Sequence, residues 1–203
     1  KDRMAGPEKQ FDTDKVISLA MGLFDRNGYE KTSISDLLAV MKIHRSSFYA
    51  TFGSKRGLFI RALSEYSVHI LESIRVALLD ASDDYIANIQ NWLDVLLGAL
   101  HSGRAVELGA NAFLDIANRD AEVQRLANEF FLGLENIVDR ALELSGRDIQ
   151  IGRLDREHLA SLIALQVQSI LLLYKSGVPL SMIDNSITLV KALLDTPLSA
   201  RRG

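Results

Sequence analysis

The 203-residue chain is 48% hydrophobic and 24% charged and contains no cysteine; this excludes disordered, fibrous and disulfide-framed classes and removes thiol nucleophiles and thiolate metal sites. The length allows one small and one larger domain, each with a core that needs neither disulfide nor metal. The net charge of −3 is unevenly divided: residues 1–56 hold 10 Lys+Arg against 7 Asp+Glu, net +3, and residues 57–203 hold 13 against 19, net −6.

No apolar stretch follows Lys1-Asp2-Arg3, so no signal peptide is expected in these residues. Apolar residues recur three and four apart nearly throughout, which predicts an all-α fold of about nine helices. The first helix starts near Asp12 or Thr13, carries Val16, Ala20, Leu23 and Phe24 on one face, and ends at Asn27-Gly28, where glycine tolerates positive φ. A short second helix opens at Ser33, with Asp36 placed to complete a capping box, and continues through Leu37, Leu38 and Val40. After a pause at 41–43, a short third helix over 45–51 follows, anchored inward by Phe48 and Phe52. Ser54 then caps a long fourth helix carrying Phe59, Leu63, Tyr66, Ile70, Ile74 and Leu78 at helical spacing. Further helical runs cover 84–101, 105–117, 121–144, 155–175 and 181–195. The most apolar segment, 162–174, is interrupted by Gln166, Gln168 and Ser169 and falls short of the ~20 residues that span a bilayer. A soluble, cytoplasmic protein without a membrane partner is expected.

Two short helices joined by a tight turn, the second bearing small polar and basic residues, have the dimensions of a helix-turn-helix that enters a DNA groove. No acid lies between Asp36 and Glu65, whereas Lys42, Arg45, Lys55, Arg56 and Arg61 supply five positive charges. A phosphate backbone favours such a stretch; a basic solvated surface has the same composition.

The residues Gly28-Tyr29, Thr32-Ser33-Ile34, Leu37, Ser46-Ser47-Phe48-Tyr49, Phe52-Gly53-Ser54-Lys55 and Leu58-Phe59 together resemble the signature of the TetR family of transcriptional regulators. Residues 102–144 and 159–195 also look like a subgroup of that family's C-terminal domains. The resemblance implies a helix-turn-helix DNA-binding domain over 8–54 and a helical ligand-binding and dimerisation domain over 55–197. By position it places His44, Arg45, Ser46 and Ser47 at the start of the recognition helix. Arg45 is the first choice for reading sequence through guanine O6 and N7, the alternative being a phosphate contact. Tyr49 and Thr51 match backbone or base contacts, and Lys55 matches a phosphate contact. Ser33 offers a helix N-terminus to another phosphate, a role that can coexist with capping. Many family members have glycine in the turn where Lys42 stands, so lysine in a left-handed conformation or a different turn is expected there.

The resemblance further implies a homodimer joined through the last two long helices. Between 159 and 174, apolar residues occupy 159, 160, 162–165, 167 and 170–174, too wide a stripe for one buried face; the alternative is a helix buried within the monomer. With Ile183, Ile187, Val190, Leu193 and Leu194 this helix suits a four-helix bundle across a two-fold axis. A two-fold dimer implies double-stranded DNA with a palindromic operator, and the family's habit implies a small-molecule effector that releases it by shifting the fourth helix. Tyr66, His69, Trp92, Leu96, Asn111, Phe113 and Gln166 are candidate pocket residues, and their low charge suits an apolar or aromatic effector. No cofactor or metal is expected. His44, His69, His101 and His158 are scattered, and no phosphate loop, His-Glu-x-x-His or Gly-x-Ser-x-Gly motif occurs, so an enzyme is not expected. A helical adaptor that binds only protein is the alternative, and the basic segment argues against it.

Overall fold

In the computed structural model, which describes residues 11–103, 116–147 and 155–195, eight α-helices form and no strand is present among these residues. They are α1 (Thr13–Asn27), α2 (Ile34–Met41), α3 (Arg45–Phe52), α4 (Lys55–Arg75), α5 (Tyr85–His101), α6 (Ala121–Leu144), α7 (Arg156–Lys175) and α8 (Leu180–Asp195). A π-helical segment, Val76–Asp80, prolongs α4 where a continuous α-helix to Leu78 is expected from spacing alone. All but the end of the predicted run 105–117 lies outside the described residues, and with it Asn111 and Phe113.

Local chemistry fixes the ends of the short N-terminal helices. Asp12 caps α1 by accepting from the amides of Asp14 and Lys15, and Gly28 closes it at φ 79°. At α2 the capping box forms: the Asp36 amide donates to Ser33 Oγ at 3.1 Å and the Ser33 amide donates to Asp36 Oδ2 at 3.0 Å. Lys42 ends α2 at φ 53°, ψ 42°, and among the described residues no other non-glycine has positive φ. The turn therefore keeps its left-handed geometry and places lysine where glycine is easiest.

Two hydrophobic cores result. The head core joins Phe24, Leu37, Phe48, Phe52, Phe59 and Leu63, and it extends past the expected boundary at residue 55 to take in Val123, Leu126, Ala127 and Phe130 of α6. The body core joins the end of α4, α5, the second half of α6, α7 and α8, from Ile74 and Leu78 to Leu134, Val138, Ile163 and Ile187. Both α4 and α6 thus run through both cores.

The interrupted apolar run lies within α7, a 20-residue helix whose most apolar 18-residue window has a mean hydropathy of 1.3, enough by length and composition alone to cross a membrane, with 39% of that window buried inside the protein. The helix starts six residues before the run, and one side of it packs into the body core, as the core helix of a folded domain does. Leu159, Ala160, Ile163, Ala164, Val167, Ile170 and Leu171 are buried in the body core. Leu162, Leu165, Leu172 and Leu173 form a second face, 40 to 63% exposed, and Met182 and Leu189 of α8 are 62 and 63% exposed.

Candidate functional site

The surface of α3 follows from its helical phase. Phe48 and Phe52, one turn apart, are buried in the head core, which turns Arg45, Ser46, Tyr49 and Ala50 outward to solvent, with Ser47 and Thr51 half-buried at the edges. His44 is the N-cap but makes no capping bond through its side chain. The guanidinium carbon of Arg45 lies 5.8 Å from the centre of the Tyr49 ring, a cation–π distance that orients both groups along the exposed face. With exposed Lys42 just before it, this face has two cations and no carboxylate. It suits a polyanion lined with hydrogen-bond acceptors.

Ser33 is exposed at the start of α2, but its amide and hydroxyl both donate to Asp36 Oδ2. These bonds hold the Asp36 carboxyl below its ordinary range. That carboxylate already complements the positive end of α2, so a phosphate here meets an acid as well as free amides.

Lys55 has partners within the protein itself. Its ammonium donates to the carbonyls of Tyr29 at 2.8 Å and Thr32 at 2.9 Å and lies 4.2 Å from the centre of the Tyr29 ring. Thr32, fully buried, donates in turn to the Gly28 carbonyl at 2.7 Å. Lys55 therefore braces the α1–α2 loop against the start of α4, with two donors directed inward. Lys55→Met is expected to destabilise the DNA-free protein by about 2 kcal/mol, since hydrogen bonds from a charged donor contribute about 1.5–3 kcal/mol each and this one is half-exposed. Urea denaturation checks this; a pure phosphate contact leaves the stability of the free protein unchanged.

Next to it, Arg56 grips Asp120 with Nε to Oδ2 at 2.6 Å and Nη2 to Oδ1 at 2.8 Å. The guanidinium holds the Asp120 carboxyl down at about 2.

Among the described residues, the expected effector-pocket residues are divided between two clefts. Tyr66 and His69 face α1 and line a cleft of about 580 Å³ with Asp14, Ile17, Met21 and Glu65. Trp92 and Leu96, one turn apart on α5, line a separate cleft of about 300 Å³ with Ile70, Ile74, Ala77, Val167 and Gln168. The cause is the turn of α4: Tyr66 and His69 lie on its α1-facing side, whereas Ile74 and Ala77 lie on its α5-facing side. Gln166 lines neither cleft; its amide donates to the Ser186 hydroxyl between α7 and α8. Two positions on, Gln168 turns the opposite way. Its Oε1 is buried with no hydrogen-bond partner among the described residues. Among the described residues no group of three or more His, Cys, Asp or Glu is placed to hold a metal ion.

Known proteins share this arrangement. Residues 16–62 match the family model described as bacterial regulatory proteins, tetR family. An uncharacterized HTH-type transcriptional regulator, YezE of Bacillus subtilis (strain 168), is 30% identical over 164 residues, covering 74% of this chain and 82% of that protein. The HTH-type transcriptional repressor BdcR of Escherichia coli (strain K12) is 38% identical over 66 residues, covering 32% of this chain and 34% of its own. Among solved structures, the reduced form of E. coli NemR superposes with a TM-score of 0.81 at 15% identity, covering 92% of this chain and 98% of that one. A cysteine mutant of the TetR family regulator CifR, complexed with 26-bp double-strand operator DNA, superposes with a TM-score of 0.72 at 25% identity, covering 93% and 98%. YezE, BdcR and CifR are described as transcriptional regulators. With a left-handed turn between α2 and α3, an outward polar face on α3 and a helical body behind it, the chain belongs to the TetR family of DNA-binding transcriptional regulators.

Proposed function

We propose that this regulator is a cytoplasmic repressor that binds a palindromic operator as a homodimer and is released by an uncharged, largely apolar small molecule. The observation that carries the DNA-binding part is the outward face of α3. It puts Arg45, Ser46 and Tyr49 in solvent, at the centre of a stretch without acids. Arg45 stands in the first turn, where side chains enter the major groove, and is the base reader. Lys42, Ser47 and Thr51 flank it as backbone contacts, and Ser33 is a weaker one because Asp36 is beside it. The operator complex of CifR and the repressor BdcR support this reading by relationship.

The second leucine face on α7, continued by Met182 and Leu189 on α8, supports the homodimer. Exposed leucines along one helix, with Met182 and Leu189 on the next, are costly unless covered, and a two-fold axis covers them with their own copies. Such a dimer presents two α3 helices about 34–36 Å apart. The cleft lined by Trp92 and Leu96 supports the effector. Its walls are largely apolar, and the orphaned Oε1 of Gln168 is an acceptor that a ligand N–H or O–H satisfies. One of its walls, with Ile70, Ser73 and Ile74, comes from α4, the helix that also begins in the head core.

Selection of genomic fragments with the purified protein tests this reading. Palindromic sites are expected, and Arg45→Ala is expected to lose about 1–3 kcal/mol of discrimination at one position of each half-site while other positions keep their preference. Uniform weakening at every position assigns Arg45 to phosphate instead. Recovery of unrelated sequences overturns the function.

A further inference from the structure

We infer that α6 is a second rod that sets the orientation of the DNA-binding head, and that Arg56 and Asp120 are the positioning pair fastening it to α4. The inference rests on the operator-binding reading above and concerns how the head is aimed. Four observations carry it. First, α6 is shared between the two cores: Val123, Leu126, Ala127 and Phe130 belong to the head, and Leu134, Val138, Ala141 and Leu142 belong to the body. Second, α4 and α6 approach closely midway. A Cβ at residue 133 would lie 2.7 Å from Leu71 Cδ1, so glycine leaves room for the tip of the Leu71 side chain at the point where one core gives way to the other.

Third, the pair acts on helix ends and not on loose side chains. Asp120 is the N-cap of α6, accepting from the amides of Glu122 at 3.0 Å and Val123 at 3.3 Å, while the same carboxylate takes both guanidinium bonds from the first turn of α4. A displacement of α6 is therefore passed to the residues that precede it on α4, beside the Lys55 brace. Arg56 lies 15 residues before Leu71, a lever of about 22 Å at the helical rise. Fourth, a further ion pair, Lys175 Nζ to Asp25 Oδ1 at 2.9 Å, ties the end of α7 to α1. The head is thus held to the body by more than the continuity of α4. Two rods joined at one end and touching midway restrain the tilt that a single rod permits.

Arg56 sits in the basic stretch and has a competing role as a phosphate contact. Asp120→Asn separates the two, because asparagine caps a helix about as well as aspartate but cannot hold the guanidinium by charge. The absence of cysteine makes a direct measurement possible. Spin labels at Lys31→Cys in the head and Asn91→Cys in the body, both exposed positions, report the intramolecular head-to-body distance by pulsed dipolar spectroscopy. The same proteins are then titrated with a selected operator and with that operator lengthened by one base pair between its half-sites.

Arg56→Gln, Asp120→Asn and the double variant are each expected to broaden the head-to-body distance distribution. Each is also expected to reduce the preference for the native spacing by the same threefold to fivefold, roughly what an ion pair of this exposure carries. Equality of the single and double effects identifies the pair as the agent. An unchanged distance distribution overturns the inference. So does tighter binding of both operators by Asp120→Asn together with weaker binding and a flatter salt slope in Arg56→Gln, which assigns Arg56 to phosphate. If the unsubstituted protein shows no spacing preference, the palindromic-dimer reading falls, and the distance distributions still decide the role of the pair.

Discussion

Replacing Leu165 and Leu173 together with glutamate is expected to convert the proposed dimer to a monomer and to abolish operator binding without loss of helix. Both side chains are exposed in the single chain, at 63 and 43%, and the face between them includes Leu162 and Leu172. Burying a leucine contributes about 1.5–3 kcal/mol, and a two-fold axis counts each position twice. Loss of four such contacts removes about 6 kcal/mol or more, a factor of roughly 10⁴ in the association constant. Four carboxylates brought together at the interface add to this.

The consequence for DNA exceeds the loss of a contact surface. A dimer engages its second half-site at an effective concentration set by geometry, and a monomer has no such gain; bivalent linkage of this kind contributes about 10²–10⁴ in affinity. Light scattering for mass, far-UV circular dichroism for helix content and operator titration check the result. A persistent dimer with native DNA affinity overturns the assignment of this face. A monomer that still binds the full operator as tightly as before overturns the need for two recognition helices.

What the sequence makes legible divides by distance along the chain. The capping box of Ser33 and Asp36 and the cap of Ser54 on Gly57 involve residues three apart, and both form as expected. The inward turn of Phe48 and Phe52 follows from one helical period. The left-handed Lys42 is legible because a turn of this kind needs that conformation whatever residue occupies it. Lys55 is not legible: its acceptors lie 26 and 23 residues earlier, and a basic residue beside a DNA-binding helix looks the same from sequence whether it faces phosphate or a buried carbonyl. Arg56 and Asp120 are 64 residues apart, and the Asp120 signal is already accounted for by its capping role. The division of the cleft residues is not legible for a different reason. Tyr66, His69 and Trp92 are each suitable in type, but residue type does not fix which side of α4 a position takes, and a slip of two positions exchanges Gln166 for Gln168.

Gly57→Ala is expected to destabilise the DNA-binding head, against the usual direction of that substitution in a helix. Alanine is favoured over glycine within a helix by about 1 kcal/mol. At residue 57 a Cβ falls 2.2 Å from the Phe52 carbonyl oxygen, a backbone atom that cannot swing aside. The contact arises from the tight Phe52-Gly53-Ser54 turn, in which the Ser54 amide donates to that same oxygen at 2.7 Å and Ser54 Oγ accepts from the Gly57 amide at 2.9 Å. Relieving the overlap moves the turn by about 1 Å, at an overpacking cost of about 1–3 kcal/mol, and disturbs the Ser54 cap for about 1 kcal/mol more. The Lys55 brace and the Arg56 clasp begin on the same turn and are pulled with it. The net expectation is a loss of about 2–3 kcal/mol, read as a lower melting midpoint and lost operator binding near it. Gly98→Ala in α5 is the matched control: among the described residues nothing lies within 4 Å of the position its Cβ would take, so it is expected to raise stability by up to about 1 kcal/mol. If both substitutions stabilise the protein, the close approach at the start of α4 is wrong, and with it the geometry that sets Lys55 and Arg56 on their partners.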